Sequence, residues 1–228
     1  MQILAIETSL RQASVGLLKL SPDSRSLQEI EIQLDPDRKT TAELVPTIQR
    51  MYQSAGLDIR QNDLITTCSG PGSFTGLRIG ITVAKTLAHV IGCQVCGINT
   101  LELIADCWLK ANPEQAETRE LISVMDAQRN EVFAQTFRVV QQEVQPSSKI
   151  SIIARKELEH SQVPVIVGGD ERLFGKLIEL SNAFFTRIDP LRLAELSSSR
   201  REDWTSPAHL LPNYHRKSAA EEKAENSN

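Results

Sequence analysis

A turn carrying three glycines, Ser69-Gly70-Pro71-Gly72-Ser73-Phe74-Thr75-Gly76, separates two segments of different periodicity. Before it, Asp63-Leu64-Ile65-Thr66-Thr67-Cys68 is a short β-branched apolar run, the pattern of a buried strand. After it, Leu77, Ile81, Ala84, Ala88 and Ile91 recur at helical spacing. A strand, a glycine-rich turn and a helix are therefore expected. Such a turn can aim backbone N–H groups and the positive end of a helix dipole at an anion. Gly70 and Gly72 permit positive φ or close backbone approach, Pro71 stiffens the turn, and Ser73 or Thr75 can cap the helix. Neither G-x-G-x-x-G nor a P-loop fits, because three residues separate Gly72 from Gly76 and no Gly-Lys-Ser/Thr follows. Two readings stay open: an anion or nucleotide contact at Gly70, Gly72, Ser73, Thr75 and Gly76, or a tight strand-to-helix connection.

On a helical wheel Arg78, Thr82, Lys85 and His89 form one polar stripe. Leu77, Ile81, Ala84, Ala88 and Ile91 flank it on one side, and Ile79, Val83, Thr86 and Val90 on the other. A helix apolar over most of its girth is buried on two sides. One side faces its own sheet. The other calls for a second layer or another protein chain, and periodicity does not separate a partner from a larger core.

The 228 residues, 40% hydrophobic, suffice for one large domain or two small ones. Lys+Arg 25 against Asp+Glu 29 gives a net charge of −4, which argues against nucleic-acid binding by this chain alone. No apolar run approaches the ~20 residues that span a bilayer, and the N-terminus lacks signal-peptide order, so a cytoplasmic protein without membrane partners is expected. Cys93-Gln94-Val95-Cys96 has no answering pair, Cys68 and Cys107 stand alone, and His89, His160, His209 and His215 are scattered. Reduced cysteines and no metal site are the expectation.

In chain order, strands are expected at 1–6, 13–20 and 27–34, with Leu10-Arg11-Gln12 turning the first pair. A helix follows over 44–55, with Thr40 or Thr41 as cap, Pro46 in its first turns and Gly56 at its end. The strand at 63–68, the helix at 77–91, a strand at 94–98 and a helix from Asn99 complete the first half. Asn99 and Glu102 have capping-box spacing. The second half repeats the order: strands at 121–125, 131–137 and near 149–153, a helix at 155–160, a strand at 163–167, a helix at 173–180 and a last helix at 190–200. The pattern is α/β, two tandem β-β-β-α-β-α domains, 1–104 and 105–216, with a polar linker at 110–119 and a disordered tail at 217–228.

That duplicated order is similar to the actin-like ATPase (ribonuclease H-like) superfamily. The local residues are more specific. Ile3-Leu4-Ala5-Ile6-Glu7-Thr8-Ser9, the turn at 69–76 with Leu77-Arg78-Ile79-Gly80, Met125-Asp126-Ala127-Gln128-Arg129-Asn130-Glu131-Val132-Phe133, and Pro212-Asn213-Tyr214-His215-Arg216 closely resemble the TsaB (YeaZ) family. The resemblance implies a scaffold in bacterial tRNA threonylcarbamoyladenosine synthesis. In that family TsaB is the non-catalytic relative of TsaD, which transfers threonylcarbamoyl to the adenosine beside the anticodon of tRNAs reading A-starting codons. It implies TsaD, TsaE and a second TsaB copy as partners, with tRNA contacted only through the complex. Partner contacts would then fall on Leu77, Arg78, Ile81, Thr82, Ala84, Lys85, Ala88 and Ile91, and on Leu44, Ile48 and Met51 of the neighbouring helix.

Active members of the superfamily place Asp and Gly in the first hairpin. Here it reads Glu7-Thr8-Ser9-Leu10-Arg11-Gln12, and the second phosphate turn reads Asp126-Ala127-Gln128 rather than Asp-x-Gly. TsaD's paired metal-binding histidines have no counterpart. Gly168-Gly169-Asp170 resembles an adenosine-side turn, though glycine also serves ordinary strand-to-helix turns. No cofactor is required on this reading, and a nucleotide fits only at a partner interface. The competing readings are a weak ATPase, with Glu7 and Asp126 holding Mg²⁺ through water, and a metal-independent peptidase. The second lacks a nucleophile–base pair. Arg11, Arg78 and Lys85 can add to a composite tRNA surface.

Overall fold

The computed structural model describes all residues except 24, 36, 116–117 and 217–228, so the expected tail lies outside the described residues. The first half runs β1 (Gln2–Glu7), β2 (Ser14–Leu20), β3 (Ser26–Gln33), α1 (Thr40–Ala55), β4 (Leu64–Gly70), α2 (Phe74–Ile91), β5 (Gln94–Asn99) and α3 (Thr100–Ala111). The second runs β6 (Glu120–Gln128), β7 (Glu131–Val140), β8 (Glu143–Pro146), β9 (Ser151–Ala154), β10 (Val165–Gly168), α4 (Glu171–Leu177), β11 (Ala183–Thr186) and α5 (Pro190–Ser199).

The two sheets share one plan. The first has the order β3-β2-β1-β4-β5 and the second β11-β10-β6-β7-β8, with β9 also on β7. In each, the first strand pairs antiparallel with the second (β1 with β2, β6 with β7) and parallel with the strand after the crossover (β1 with β4, β6 with β10). Every residue of β1 is buried, as a central strand covered on both faces requires. Edge strand β3 alternates, with Ile30 and Ile32 half-buried against α1's core while Glu29 and Glu31 face water.

α1 and α2 cover the outer face of the first sheet through Leu44, Ile48, Met51, Leu77, Ile81, Ala84 and Ala88. The inner faces are covered differently. α3 belongs in sequence to the first half, yet it packs on β6, β7, β8, β10 and β11 as well as on β4 and β5. α5, from the second half, packs on β1, β2, β4 and β5. Their side chains form one continuous core between the sheets, from Ile3 and Leu18 through Ile104 and Leu193 to Leu121 and Phe137. Trp108 of α3 meets the Phe184 ring at 5.5 Å. Gly168 makes this approach possible, because a Cβ there would lie 2.2 Å from Ile104. The two helices are ion-paired: Arg192 reaches Asp106 at 2.8 Å, and Arg200 pairs with Glu102. Burial pushes the Asp106 carboxyl up, with the Arg192 guanidinium opposing that shift.

Several expectations change. Residue 104 lies inside α3, which runs on to Ala111. Glu102 serves Arg200 rather than a capping box, and the Asn99 side chain alone accepts from Leu101 N at 2.9 Å. α1 starts at Thr40 with no side-chain cap, which puts Pro46 past its first turn. The stretch Arg155–His160 is a 3-10 segment. β8 and β11, four residues each, were not anticipated.

Breaking a desolvated pair leaves a buried charge behind, at a cost of about 3–5 kcal/mol. Arg192→Ala is expected to lower the unfolding free energy by that order, read as a lower denaturant midpoint at an unchanged m-value. Arg192→Met combined with Asp106→Leu recovers most of the loss. An Arg192→Ala midpoint equal to wild type would show that the α3–α5 pair is not stabilising.

Candidate functional site

The carboxyl ends of β1, β4 and β6 point into a cleft between the sheets, the position where open α/β sheets take ligands. Leu10 and Arg11, at the tip of the β1–β2 turn, line cavities on both of its sides. One, of about 660 Å³, is walled by the β4–α2 turn, by Asp126 to Arg129 and by Asn213 to Arg216. The other, of about 850 Å³, lies towards Gly169, Asp170 and Arg187.

The glycine-rich turn is occupied by the chain itself. Ser73 N donates to Ser9 O at 2.7 Å, and Thr8 Oγ1 donates to Gly76 O at 2.7 Å. A Cβ on Gly72 would sit 2.8 Å from Ser9 O, and one on Gly76 only 1.9 Å from Thr8 O. Ser73, not Thr75, caps α2, accepting from Gly76 N at 3.2 Å. Leu77 N closes on Ser73 O. The N–H groups of Ser73, Gly76 and Leu77 are therefore spent inside the fold.

Glu7 is fully buried behind this turn. Its Oε1 accepts from Ser9 N at 2.7 Å and from the Ser9 hydroxyl, and its Oε2 has no hydrogen-bond partner. Burial pushes this carboxyl above its ordinary 4.5, against the lowering effect of the Ser9 bonds. Burial also holds the neighbouring Cys68 thiol well above its ordinary range, with Glu7's charge adding to the shift. Asp126 stays exposed and accepts from Gln128 N at 2.9 Å, a turn contact. Glu7 is thus buried and Asp126 exposed, each bonded within its own turn. Among the described residues no three His, Cys, Asp or Glu side chains gather as metal ligands, and Cys68, Cys93, Cys96 and Cys107 are free thiols.

Of the residues expected at an anion site, Gly72, Ser73, Thr75 and Asp126 line the first cavity and Gly169 the second. Gly70 and Gly76 face neighbouring backbone, Gly168 packs on Ile104, and Gly169, at φ +62, packs on Leu10. The expected partner face needs a larger correction. Leu44, Ile48, Met51, Leu77, Ile81, Ala84 and Ala88 are at most 4% exposed and form the chain's own core. Arg78 donates to the Tyr214 hydroxyl at 3.1 Å, and Lys85 to Leu210 O at 3.0 Å, so both hold the C-terminal segment. Thr82 is exposed and Ile91 half-buried.

Accessible apolar surface lies on the other flank of α2. A groove of about 470 Å³ runs between α1 and α2, lined by Val45, Gln49, Tyr52, Leu57, Ile59 and Leu87 among others. Val45 is 49% and Val90 78% exposed. The wheel places Val83 and Val90 on this flank, and of the expected partner residues only Ile48 lines the groove. Ser206 and His209 meet at 3.1 Å, but across a single exposed turn and lining neither cleft cavity.

The family model described as "TsaD: tRNA N6-adenosine threonylcarbamoyltransferase" matches residues 36–181. The tRNA threonylcarbamoyladenosine biosynthesis protein TsaB of Bacillus subtilis (strain 168) is 28% identical, over 98% of this chain and 97% of its own length. That of Escherichia coli (strain K12) is 27% identical, over 74% and 68%. Among solved structures, YeaZ from Pseudomonas aeruginosa superposes with a TM-score of 0.72 at 24% identity, covering 93% of this chain and 99% of that one. A second structure from that organism, described as an uncharacterized protein with similarity to peptidase YEAZ, gives 0.74 at 23% identity, covering 94% and 99%. With the family model matching well over half of the sequence and a TsaB protein aligning along nearly all of it, the chain belongs to the TsaD-type family and, within it, to the TsaB (YeaZ) group.

Proposed function

We propose that this chain is a non-catalytic scaffold subunit of tRNA threonylcarbamoyladenosine synthesis, working in the cytoplasm, that binds a TsaD transferase through the α1–α2 groove, with TsaE joining the pair. The observation that carries the non-catalytic part is the filling of the phosphate-type turn by Thr8 and Ser9. A nucleotide's phosphates need free N–H groups and close backbone approach at such a turn; here Thr8 and Ser9 take the approach at Gly72 and Gly76, and Ser9 O takes the Ser73 N–H. The carboxylate of that hairpin, Glu7, is sealed from the cleft and bound to Ser9, so it is not placed to hold a metal-bound phosphate.

The groove supports the partner part. Exposed apolar surface shaped to receive a helix marks an interaction site. The TsaD-type family model covers α1 and α2, so a TsaD chain is expected to carry an equivalent helix pair, and two such pairs can meet about a pseudo-two-fold axis. A second copy of this chain can meet the same groove, so self-association and TsaD binding compete.

The test is light scattering of the chain mixed with TsaD from the same organism. Val45→Glu and Val90→Glu alter exposed positions, so they are expected to fold normally and weaken the heterodimer roughly tenfold or more each. Undiminished binding by both variants would remove the groove from the interface. The chain alone is expected to transfer no threonylcarbamoyl group to tRNA, while restoring transfer when added to TsaD and TsaE.

The sealed state of Glu7 has its own signature. Its folded carboxyl titrates above 4.5, so the stability from the protonated form is complete below pH 4.5 and is lost as pH rises through the folded value. Glu7→Gln keeps an acceptor for Ser9 without the ionisation. Unfolding midpoints across pH 4–8 are expected to show the variant gaining on wild type as pH rises. A pH-independent difference would mean that Glu7 is not held in a sealed site.

A further inference from the structure

We propose that residues 210–216 are a clasp, tying the β4–α2 turn of the first half to the β6–β7 hairpin of the second and fixing the opening of the cleft between them. The segment is anchored stepwise along the first half. Thr205 and Val95 exchange backbone hydrogen bonds at 2.9 Å. Lys85 donates to Ala208 O at 3.3 Å and to Leu210 O. Leu210 is 4% exposed and packs on Gly97, where a Cβ would come within 2.8 Å of its Cδ1. Asn213 N donates to Ser69 O at 2.7 Å. Gly70 makes room for this contact: its φ is +126, and a Cβ there would lie 2.5 Å from Asn213 O.

Tyr214 then stacks on Phe74 with ring centroids 4.3 Å apart, and the Arg78 guanidinium sits 4.1 Å from the Phe74 centroid while bonding the Tyr214 hydroxyl. Two residues later the chain reaches the other half. Arg216 donates from Nη1 to Ala127 O and from Nη2 to the Glu131 carboxylate. Its target is the strained element of the cleft wall. Gln128, Arg129 and Asn130 all have positive φ, at 64°, 55° and 61°, and none is glycine. Left-handed non-glycine residues persist only where their surroundings hold them. Arg216 grips the carbonyl just before this turn and the carboxylate just after it. Between the anchors, His215 lines the cleft cavity and also touches the surface beside Gln135 and Pro146.

The clasp thus crosses between the two walls of the cleft, with one end on the glycine-rich turn and the other on the strained hairpin. Opening the cleft requires that Arg216 let go. Because Arg78 and Lys85 are its anchors on α2, the release is transmitted to the helix that lines the partner groove.

Hydrogen exchange on the full chain tests this. Arg216→Glu and, separately, Glu131→Arg are expected to speed amide exchange roughly five- to tenfold at 126–131 and at 70–76, while β1 and β4 keep their protection. The double charge swap re-forms the 131–216 ion pair but not the bond to Ala127 O, so it restores part of the protection at 126–131. Faster exchange confined to 213–216, no change at all, or a double swap that exchanges no more slowly at 126–131 than either single variant would overturn the clasp. Should Arg216→Glu loosen β1 and β4 as well, Tyr214→Leu, which leaves the hairpin contacts in place, is read by the same criteria.

Discussion

The inner face of each sheet is covered by the neighbouring helices jointly, and the assembly depends on that sharing. α3 carries Leu103, Ile104 and Trp108 into the core shared with the second sheet, and α5 carries Leu193 and Ala194 onto the first. The burial is hydrophobic, at about 1.5–3 kcal/mol for each large side chain, while the Asp106–Arg192 and Glu102–Arg200 pairs fix the relation of the two helices. Two units that each kept their own cover would meet through a thin, hinged contact. Here the core is continuous, and the turns and hairpins of the cleft face one another at its rim.

That rim brings the glycine-rich turn against the first hairpin. Close approach is what glycine provides at Gly72 and Gly76, and the group that approaches is the chain's own Thr8–Ser9 backbone. The space around the cleft is real, but the Ser73, Gly76 and Leu77 N–H groups are engaged within the fold. The apolar potential of the protein has shifted instead to the flank of α2 beside α1, where Val45, Leu87 and Val90 remain open to a partner.

Much of the architecture was legible. The buried runs of β1 and β4, the wet alternation of β3 and the repeated element order all follow from patterns that tertiary packing does not override. The failures have physical causes. Ala183-Phe184-Phe185-Thr186 is too short to show a period, so β11 was missed. A wheel reports that α2 is apolar on two flanks but not which is taken by its own sheet, so it does not reveal that Ile81 and Ala84 belong to the chain's own core. A glycine admits a ligand or a neighbouring backbone equally, so the choice at Gly76 rested on the distant Thr8. Pro212-Asn213-Tyr214-His215-Arg216 carried a family likeness but no partner, because Arg216 and Glu131 lie 85 residues apart in the chain.

The sharing of α3 and α5 also bears on how the chain is made. β1 to β5 emerge first, but part of the inner face of their sheet waits for α5, whose first residue Pro190 follows Asn99 by roughly ninety residues. At ~5–20 residues per second, Ile3, Leu18 and their neighbours stay only partly covered for several seconds. During that interval the nascent sheet is a sticky surface on the ribosome, and its protection falls to chaperones or to the early arrival of α3. Completion of the first half is thus deferred until the second half is nearly finished, and a truncated product ending before Pro190 leaves that surface permanently bare.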